Sequence, residues 1–314
     1  MTLTNTNSLV LLQAAKVLGI TAQILNSSQG KIKLIKGQKS HIVHKCGFNL
    51  NPHQAIILTR NKLKTLALLR RHGLPTPKIY YLKSNISFPL VLKPVSGQKG
   101  QHVYLNLQNQ AQLDTALTQI SDPALTQQFI PGHDLRFFVL AGKVIGITHR
   151  QPPRITGDGR STIKQLIIAE NLRRVHLTLT LGHRMLNRLH HWPRIRWYLS
   201  LQGQDLKAVL SKNQTIELYP LANFSTGGST HTLLLNQVHP SLIRLAQKAV
   251  KLTDLTVAGV DMIVKNWRHP AQPENAYIIE INSDPSLRLH SWPNTGRPQP
   301  VAKKLLHYIF SQPL

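Results

Sequence analysis

The sequence predicts an α+β fold built in two or three lobes, and three observations carry the prediction. The chain has 314 residues, 41% of them apolar, enough for more than one lobe with a core of its own. Helix-period segments closed by Gly or Pro alternate with short β-branched runs that end in turn residues. Two of those runs, VAGVDMIV at 257–264 and AYIIEIN at 276–282, are joined by the polar segment WRHPAQPEN, which predicts an antiparallel pair.

Taken in order, residues 8–19 (SLVLLQAAKVLG) have helical apolar spacing and stop at Gly19. TAQILN, KIKLIKG and SHIVHK read as strands, with a Ser-Ser-Gln-Gly turn between the first two. AIILT at 55–59 reads as a further buried strand. NKLKTLALLRRH (61–72) reads as a helix closed by Gly73, and the two prolines of LPTPK forbid its continuation. The strand FPLVLKP ends near Lys93 and leads into the glycine-rich loop VSGQKGQHV, where close amide approach beside a lysine suits a phosphate. A helix near 110–120 precedes the strand ALTQQFI. LRFFVLAGKVIGITHR then reads as a hairpin turning at Ala141–Gly142–Lys143.

RITGDGRST reads as a polar turn whose Ser161 or Thr162 caps the helix TIKQLIIAENLRR. Residues 176–213 read as a basic, His-rich helical stretch, and His183, His190 and His191 form no metal-ligand spacing. NFSTGGSTH (223–231) reads as a second glycine-rich loop. PSLIRLAQKAVKLT reads as the helix before the VAGVDMIV strand, and PVAKKLLHYIF as an amphipathic closing helix.

Glu280 and Asn282 are two apart on one strand, so both leave the same face. Asp261 on the partner run joins them in an oxygen-rich pocket of two carboxylates and one amide, suited to a hard cation such as Mg²⁺. The charge is +26, from 38 Lys+Arg against 12 Asp+Glu, a field that attracts polyanions: nucleotides, acidic peptides or nucleic acid. The basic residues are scattered through every segment without an aromatic-rich nucleic-acid motif, which makes nucleic acid the less favoured partner. The single cysteine, Cys46, excludes an intramolecular disulfide framework and a Cys-based zinc site. No run of 18 apolar residues occurs, and the N-terminus lacks a basic n-region and a cleavage motif. The expectation is a cytoplasmic protein without membrane insertion.

These motifs, in this order, resemble the ATP-grasp superfamily of carboxylate–amine ligases. The likeness is to the ATP-grasp portion of cyanophycin synthetases and of bifunctional glutathione synthetases. The resemblance implies two α+β lobes gripping ATP, preceded by a small α/β lobe: residues 1–60, then 61–132 with a lid loop, then 133–314 with the metal and substrate site. Lys62 and Lys93 match the lysines that hold the nucleotide phosphates, and Gly97, Gln98, Lys99 and Gly100 match the lid loop. Gln127, Gln128, Phe129 and Ile130 match the hinge whose backbone reads adenine, and Asp134 falls where an acid holds the ribose. Asp261, Glu280 and Asn282 match the ligands of Mg²⁺ or Mn²⁺. Arg150 and Arg288 match arginines beside the acyl phosphate and substrate carboxylates, with Arg136 assisting. Ser225, Thr226, Gly227 and Gly228 resemble the loop lining the acceptor side.

The chain departs from the family in three places. Leu66 replaces a second lysine, Gln127 replaces the hinge acid, and Ser283-Asp284-Pro285-Ser286 replaces a turn that usually ends in Pro-Gly. Neither a Mur-ligase-like domain nor a glutamate–cysteine ligase domain is found, so neither complete activity is expected. The implied activity is ATP-dependent amide formation through an acyl phosphate, releasing ADP and phosphate. The implied substrates are amino acids or acidic peptides, free or carrier-bound, and a homo-oligomer is compatible with the family. Two alternatives stand beside it: a basic nucleic-acid-binding or scaffold protein on this fold, and a kinase that stops at phosphoryl transfer.

Overall fold

The computed structural model describes residues 5–80, 86–96, 102–120, 123–181 and 186–312. Its contacts divide the chain into two compact units, one of residues 1–97, 102–149 and 232–314 and the other of residues 98–101 and 150–231.

In the first unit, α1 (Thr6–Val17) starts where the Asn5 side chain accepts from the Asn7 and Ser8 amides. β1 (Thr21–Asn26), β2 (Lys31–Lys36) and β3 (Lys39–His44) form an antiparallel sheet in that order. The segment read as a fourth early strand is instead α2 (His53–Arg60). Pro52 opens that helix, and only Ala55 and Thr59 are buried, at the i, i+4 spacing of a helix face. α3 (Lys62–Arg71) follows at once, its N-terminus capped by the Asn61 side chain and its end marked by Gly73 at φ +70°. β4 (Ile79–Tyr80), β5 (Leu90–Pro94), β6 (Tyr104–Leu107), α4 (Gln110–Leu117) and β7 (Ala124–Gln128) make a four-stranded sheet of order β4-β7-β5-β6 with one helix.

β8 (His133–Leu140) and β9 (Lys143–Gln151) are joined at Ala141 and Gly142, both with positive φ, the two-residue turn that suits a hairpin. The second unit then begins. β10 (Arg154–Thr156), where a turn was expected, pairs with β11 (Thr215–Glu217). Between them run α5 (Ile163–Leu181) and α6 (Trp192–Ser200). Thr162 and Gln165 exchange side-chain and backbone bonds as a capping box for α5. Helix therefore occupies only part of the 176–213 stretch: residues 201–214 are turns and irregular chain, and His183 lies outside the described residues. The core of this unit gathers Ile163, Ile167, Leu189, Ile195, Leu199 and Leu218.

The chain returns to the first unit within β12 (Ser229–Leu233), whose first three residues are the end of the NFSTGGSTH loop. α7 (Pro240–Thr253), β13 (Val257–Val264), β14 (Ala276–Asn282), α8 (Arg288–Ser291) and α9 (Val301–Ser311) complete it. The large sheet has the order β12-β9-β8-β13-β14. Its two faces differ. Leu135, Phe137, Val139, Ala258, Val260 and Met262 pack with α7 residues in one core. On the opposite face, Phe138, Leu140 and Val257 pack with α1, β2 and α9 in another. Strand alternation puts Asp134 and Arg136 on that second face beside Phe138. The α1 lobe covers one end of the face with apolar side chains, and the polar residues occupy the other.

Candidate active site

Strand register assembles the site. In the antiparallel pairing Arg136 of β8 is opposite Asp261 of β13, and Asp261 is opposite Glu280 of β14. Cross-strand partners share a face, so the three side chains form one row across three strands. A register shift after Asp261 sets Ile278 opposite Met262. This bulge keeps Glu280 in line with Asp261 while the apolar face continues beyond it. Asn282 stands two register positions away on the same face, opposite Gly259, with its Nδ2 3.5 Å from Asp261 Oδ2. The three residues expected as metal ligands are therefore brought together.

Cations already hold both carboxylates. The Arg136 guanidinium donates through Nε and through Nη2, the latter 2.7 Å from Asp261 Oδ2. Lys62 Nζ lies 3.4 Å from Glu280 Oε1 and is itself nearly buried. The Lys62 amide donates to Val95 O at 3.1 Å, which fixes the start of α3 against the end of β5. Lys93 on β5 is 4% exposed. Burial pushes its ammonium down to about 8, Lys62 pushes the same way, and Glu280 and Asp261 oppose the shift. Lys62, Lys93, Arg136, Asp261, Glu280 and Asn282 thus form one charge-dense cluster within a single compact unit.

The hinge expected at 127–130 borders it. Lys93 pairs with Leu125 and Val91 with Gln127, so Gln127 shares the Lys93 face of the small sheet. Gln127 is 2% exposed, and its Oε1 accepts no hydrogen bond among the described residues. The Gln128 and Phe129 amides are taken by Lys78 O and Pro89 O, and Ile130 is buried. Asp134 lies two residues before Arg136 on the same face. Arg288 is 1% exposed, and burial pushes its guanidinium down to about 9.

Other expected residues belong to the second unit. Arg150, buried, is the first β9 residue of this unit and stands one position before the strand's end. Thr226 is buried, with its hydroxyl donating to Leu221 O and Asn223 O. Gly227 has φ +92°, and a Cβ at Gly228 would meet Gln151 O at 2.8 Å, so this loop is folded tightly on its own unit. Gly97, Gln98, Lys99 and Gly100 lie outside the described residues.

Sequence reasoning missed the supports. The Asn51 carboxamide bonds Val257 O, Val257 N and Ser283 O, each at 2.8 Å, and so joins the start of β13 to the turn after β14. Asn7 Oδ1 accepts from Ser286 Oγ and the Arg288 amide, which anchors the chain entering α8. An Asn before Pro52 and an Asn in a helix start look like ordinary turn and cap residues, so neither carried a signal.

The donor set is all oxygen, two carboxylates and a carboxamide, which fits Mg²⁺ or Mn²⁺. Among the described residues no helix is long and apolar enough to cross a membrane. Comparison with known proteins gives consistent results. Residues 59–174 match the RimK-like ATP-grasp domain. The chain is 28% identical over 303 residues to a cyanophycin synthetase of Geminocystis herdmanii, covering 91% of this chain and 34% of that protein. It is 27% identical over 313 residues to a bifunctional glutathione biosynthesis protein of Clostridium perfringens, covering 93% of this chain and 39% of that one. The chain thus spans a little over a third of the length of these relatives. A crystal structure of the bifunctional glutathione synthetase of Pasteurella multocida superposes with a TM-score of 0.68 at 22% identity, over 97% of this chain and 44% of that one.

Proposed function

We propose that this chain, which has the ATP-grasp fold and is homologous to the ATP-grasp portions of cyanophycin and bifunctional glutathione synthetases, is an ATP-dependent carboxylate–amine ligase. The observation that carries the reading is the single cluster of Lys62, Lys93, Asp261, Glu280 and Asn282. Two buried ammonium groups beside two carboxylates are what a transferring phosphoryl group requires.

Asp261, Glu280 and Asn282 would hold Mg²⁺ or Mn²⁺, which when bound neutralises phosphate oxygens. Lys62 and Lys93 supply positive charge to the β- and γ-phosphates of ATP. A substrate carboxylate attacks the γ-phosphorus, ADP departs and an acyl phosphate forms. An amine then attacks the acyl carbon, the tetrahedral intermediate expels phosphate, and the nitrogen gives up its proton to complete the amide. Arg288, buried and dehydrated, is suited to a substrate carboxylate or developing oxyanion, because a guanidinium stays charged where water is scarce. Gln127 to Ile130 border the base, Asp134 the ribose, and Arg150 with the 225–228 loop serve the acceptor.

The substrates on this reading are amino acids or peptides. The +26 charge favours an acidic one through long-range attraction. The test is release of ADP and phosphate by purified protein with Mg²⁺-ATP and a matrix of amino acids, dipeptides and acidic peptides, with an Asp261→Asn/Glu280→Gln variant as blank. Turnover that needs both an acid and an amine, and is lost in the blank, supports the ligase. A phosphorylated product without an amide identifies a kinase. Salt-sensitive polyanion binding with no ATP binding identifies the scaffold reading and overturns the enzyme.

A further inference from the structure

Helix α5 changes character along the face that it buries. Ile163 and Ile167 pack in the core of the second unit. Two turns beyond Ile167 the same face carries Arg174, 4% exposed. A guanidinium on a core face needs a partner for its charge, because an unpaired buried charge is strongly destabilising. Arg174 has several. Its Nε donates to Glu170 Oε1 at 2.7 Å, one turn back, and its Nη1 donates to Asn187 O and, at 2.8 Å, to Gly227 O. Asn187 in turn donates from Nδ2 to Phe224 O at 2.9 Å. Asn171, one turn before Arg174, bonds both the amide and the carbonyl of Leu189 through its carboxamide. A Cβ at Gly227 would stand 2.5 Å from Leu189 Cδ2 and 3.0 Å from Arg174 Nη1, so glycine is what lets that carbonyl come within reach.

We infer that Arg174 is a positioning residue for the 225–228 loop and fixes where that loop meets the acceptor amine. The inference rests on the reading above that this loop serves the acceptor. Energetics separate positioning from plain support. Well-packed apolar side chains hold a helix against a loop as firmly as a buried ion pair does, and often more firmly. They do not set the direction of a carbonyl. A planar guanidinium, with its donors in a fixed fork, does. Arg174 ties one carboxylate of α5 to carbonyls on two other segments, at Asn187 and Gly227. Gly227 therefore cannot shift without losing a charged donor. Glu170 orients the fork, and Arg173 holds Glu170 from the solvent side at 2.7 Å. Asn187 adds a second tether to the same loop, at Phe224.

Arg174→Lys in the full chain tests the inference, since lysine keeps the charge beside Glu170 but replaces the fork with a point charge. Amide hydrogen exchange, read on a peptide spanning residues 223–229, should quicken at least about tenfold, while a peptide spanning β13 stays as in wild type. Kinetics use the acid and amine that turn over in the substrate matrix. KM for the amine should rise at least about tenfold, with kcat at saturating amine and KM for ATP within about twofold of wild type. Arg174→Met should show the same pattern more strongly, and the lysine variant guards against misfolding of the methionine one. Unchanged exchange in the loop overturns the proposal. So does a parallel rise of both KM values, or faster exchange in both peptides, since either means that Arg174 supports the fold at large. Hydroxylamine, a small nucleophile that intercepts an acyl phosphate without the loop, tests the underlying reading separately. A wild-type chain that forms no amide and traps no hydroxamate overturns the ligase, and the exchange rate alone then confirms or overturns Arg174 as the residue that fixes the loop.

Discussion

Arg136 and Asp261 face each other directly across β8 and β13, and the guanidinium grips both carboxylate oxygens in a buried pair. Asp261 is also one of the metal ligands proposed above, and Arg136 stabilises its charge before any cation binds. Removing one member of a buried pair leaves the other as an uncompensated charge, at a cost of about 3–5 kcal/mol. Arg136→Met should therefore lower the unfolding free energy by about that much. Arg136→Met/Asp261→Leu should recover most of the loss and still fail to bind Mg²⁺-ATP. Urea unfolding of the two variants separates the structural share of the pair from its functional share.

Gly259 lies between that pair and the turn after β14. A Cβ there would stand 2.9 Å from Arg136 Nη1 and 3.0 Å from Pro285 Cβ. Gly259→Ala must push the guanidinium off Asp261 or move the turn, an overpacking strain of about 1–3 kcal/mol. The expected outcome is a modest drop in melting temperature with a larger loss of turnover. Wild-type turnover in this variant would mean that the row tolerates displacement.

Asn51 makes three hydrogen bonds of 2.8 Å to the two strand ends that define the site. Asn51→Ala leaves partly buried backbone groups without those partners, costing about 1–3 kcal/mol. Nucleotide affinity should fall with stability, because the clamp fixes where Asn282 meets Asp261. Thermal melts with and without Mg²⁺-ATP measure both effects.

Much of this arrangement was legible in the sequence, for a physical reason. Asp261, Glu280 and Asn282 sit on strands whose period of two assigns their faces before any register is known, and the joining turn forces antiparallel pairing. The ALTQQFI strand and the β8–β9 hairpin were readable on the same grounds. AIILT was misread because a run of four apolar residues fits either period. The proline before it and the exposure of Ile57, 49%, decide for helix, and exposure is not written in the residues themselves. β10 was hidden in a polar stretch because its pairing with β11 spans some sixty residues of intervening chain. Asn51 and Asn7 escaped for the same reason: their partners lie more than 200 positions away.

Lys93 supplies the pH dependence. Its folded value of about 8 lies below the ordinary 10.5 because the buried ammonium has lost its water. Between those two values the unfolded chain holds a proton that the folded chain has released. Stability contributed through this residue therefore rises as pH increases from about 8 to 10.5 and is absent below that window. Lys93→Met should abolish the rise in a series of denaturant melts. Polyphosphate beside the lysine favours the charged form, so nucleotide binding should take up a proton near pH 8. Calorimetry in two buffers of different ionisation heat reads that uptake directly. Equal apparent enthalpies in the two buffers would place Lys93 outside the phosphate site.

Gln127 separates stability from binding. Its side-chain oxygen is buried and accepts no hydrogen bond among the described residues, on the sheet face that also carries Lys93. A buried acceptor without a donor costs about 1–3 kcal/mol, and folded proteins keep such groups where a ligand supplies the donor. Gln127→Leu removes the acceptor at similar volume, so the free protein should be as stable as wild type or more so. The same change should weaken ATP binding about tenfold, because an N–H of the base loses its partner, a loss of about 1.4 kcal/mol. Denaturant melts of the free chain and titration with ATP give the two numbers. A variant that gains stability and binds ATP unchanged would show that the carboxamide does not read the base. A variant that loses stability would show that Gln127 supports the hinge itself.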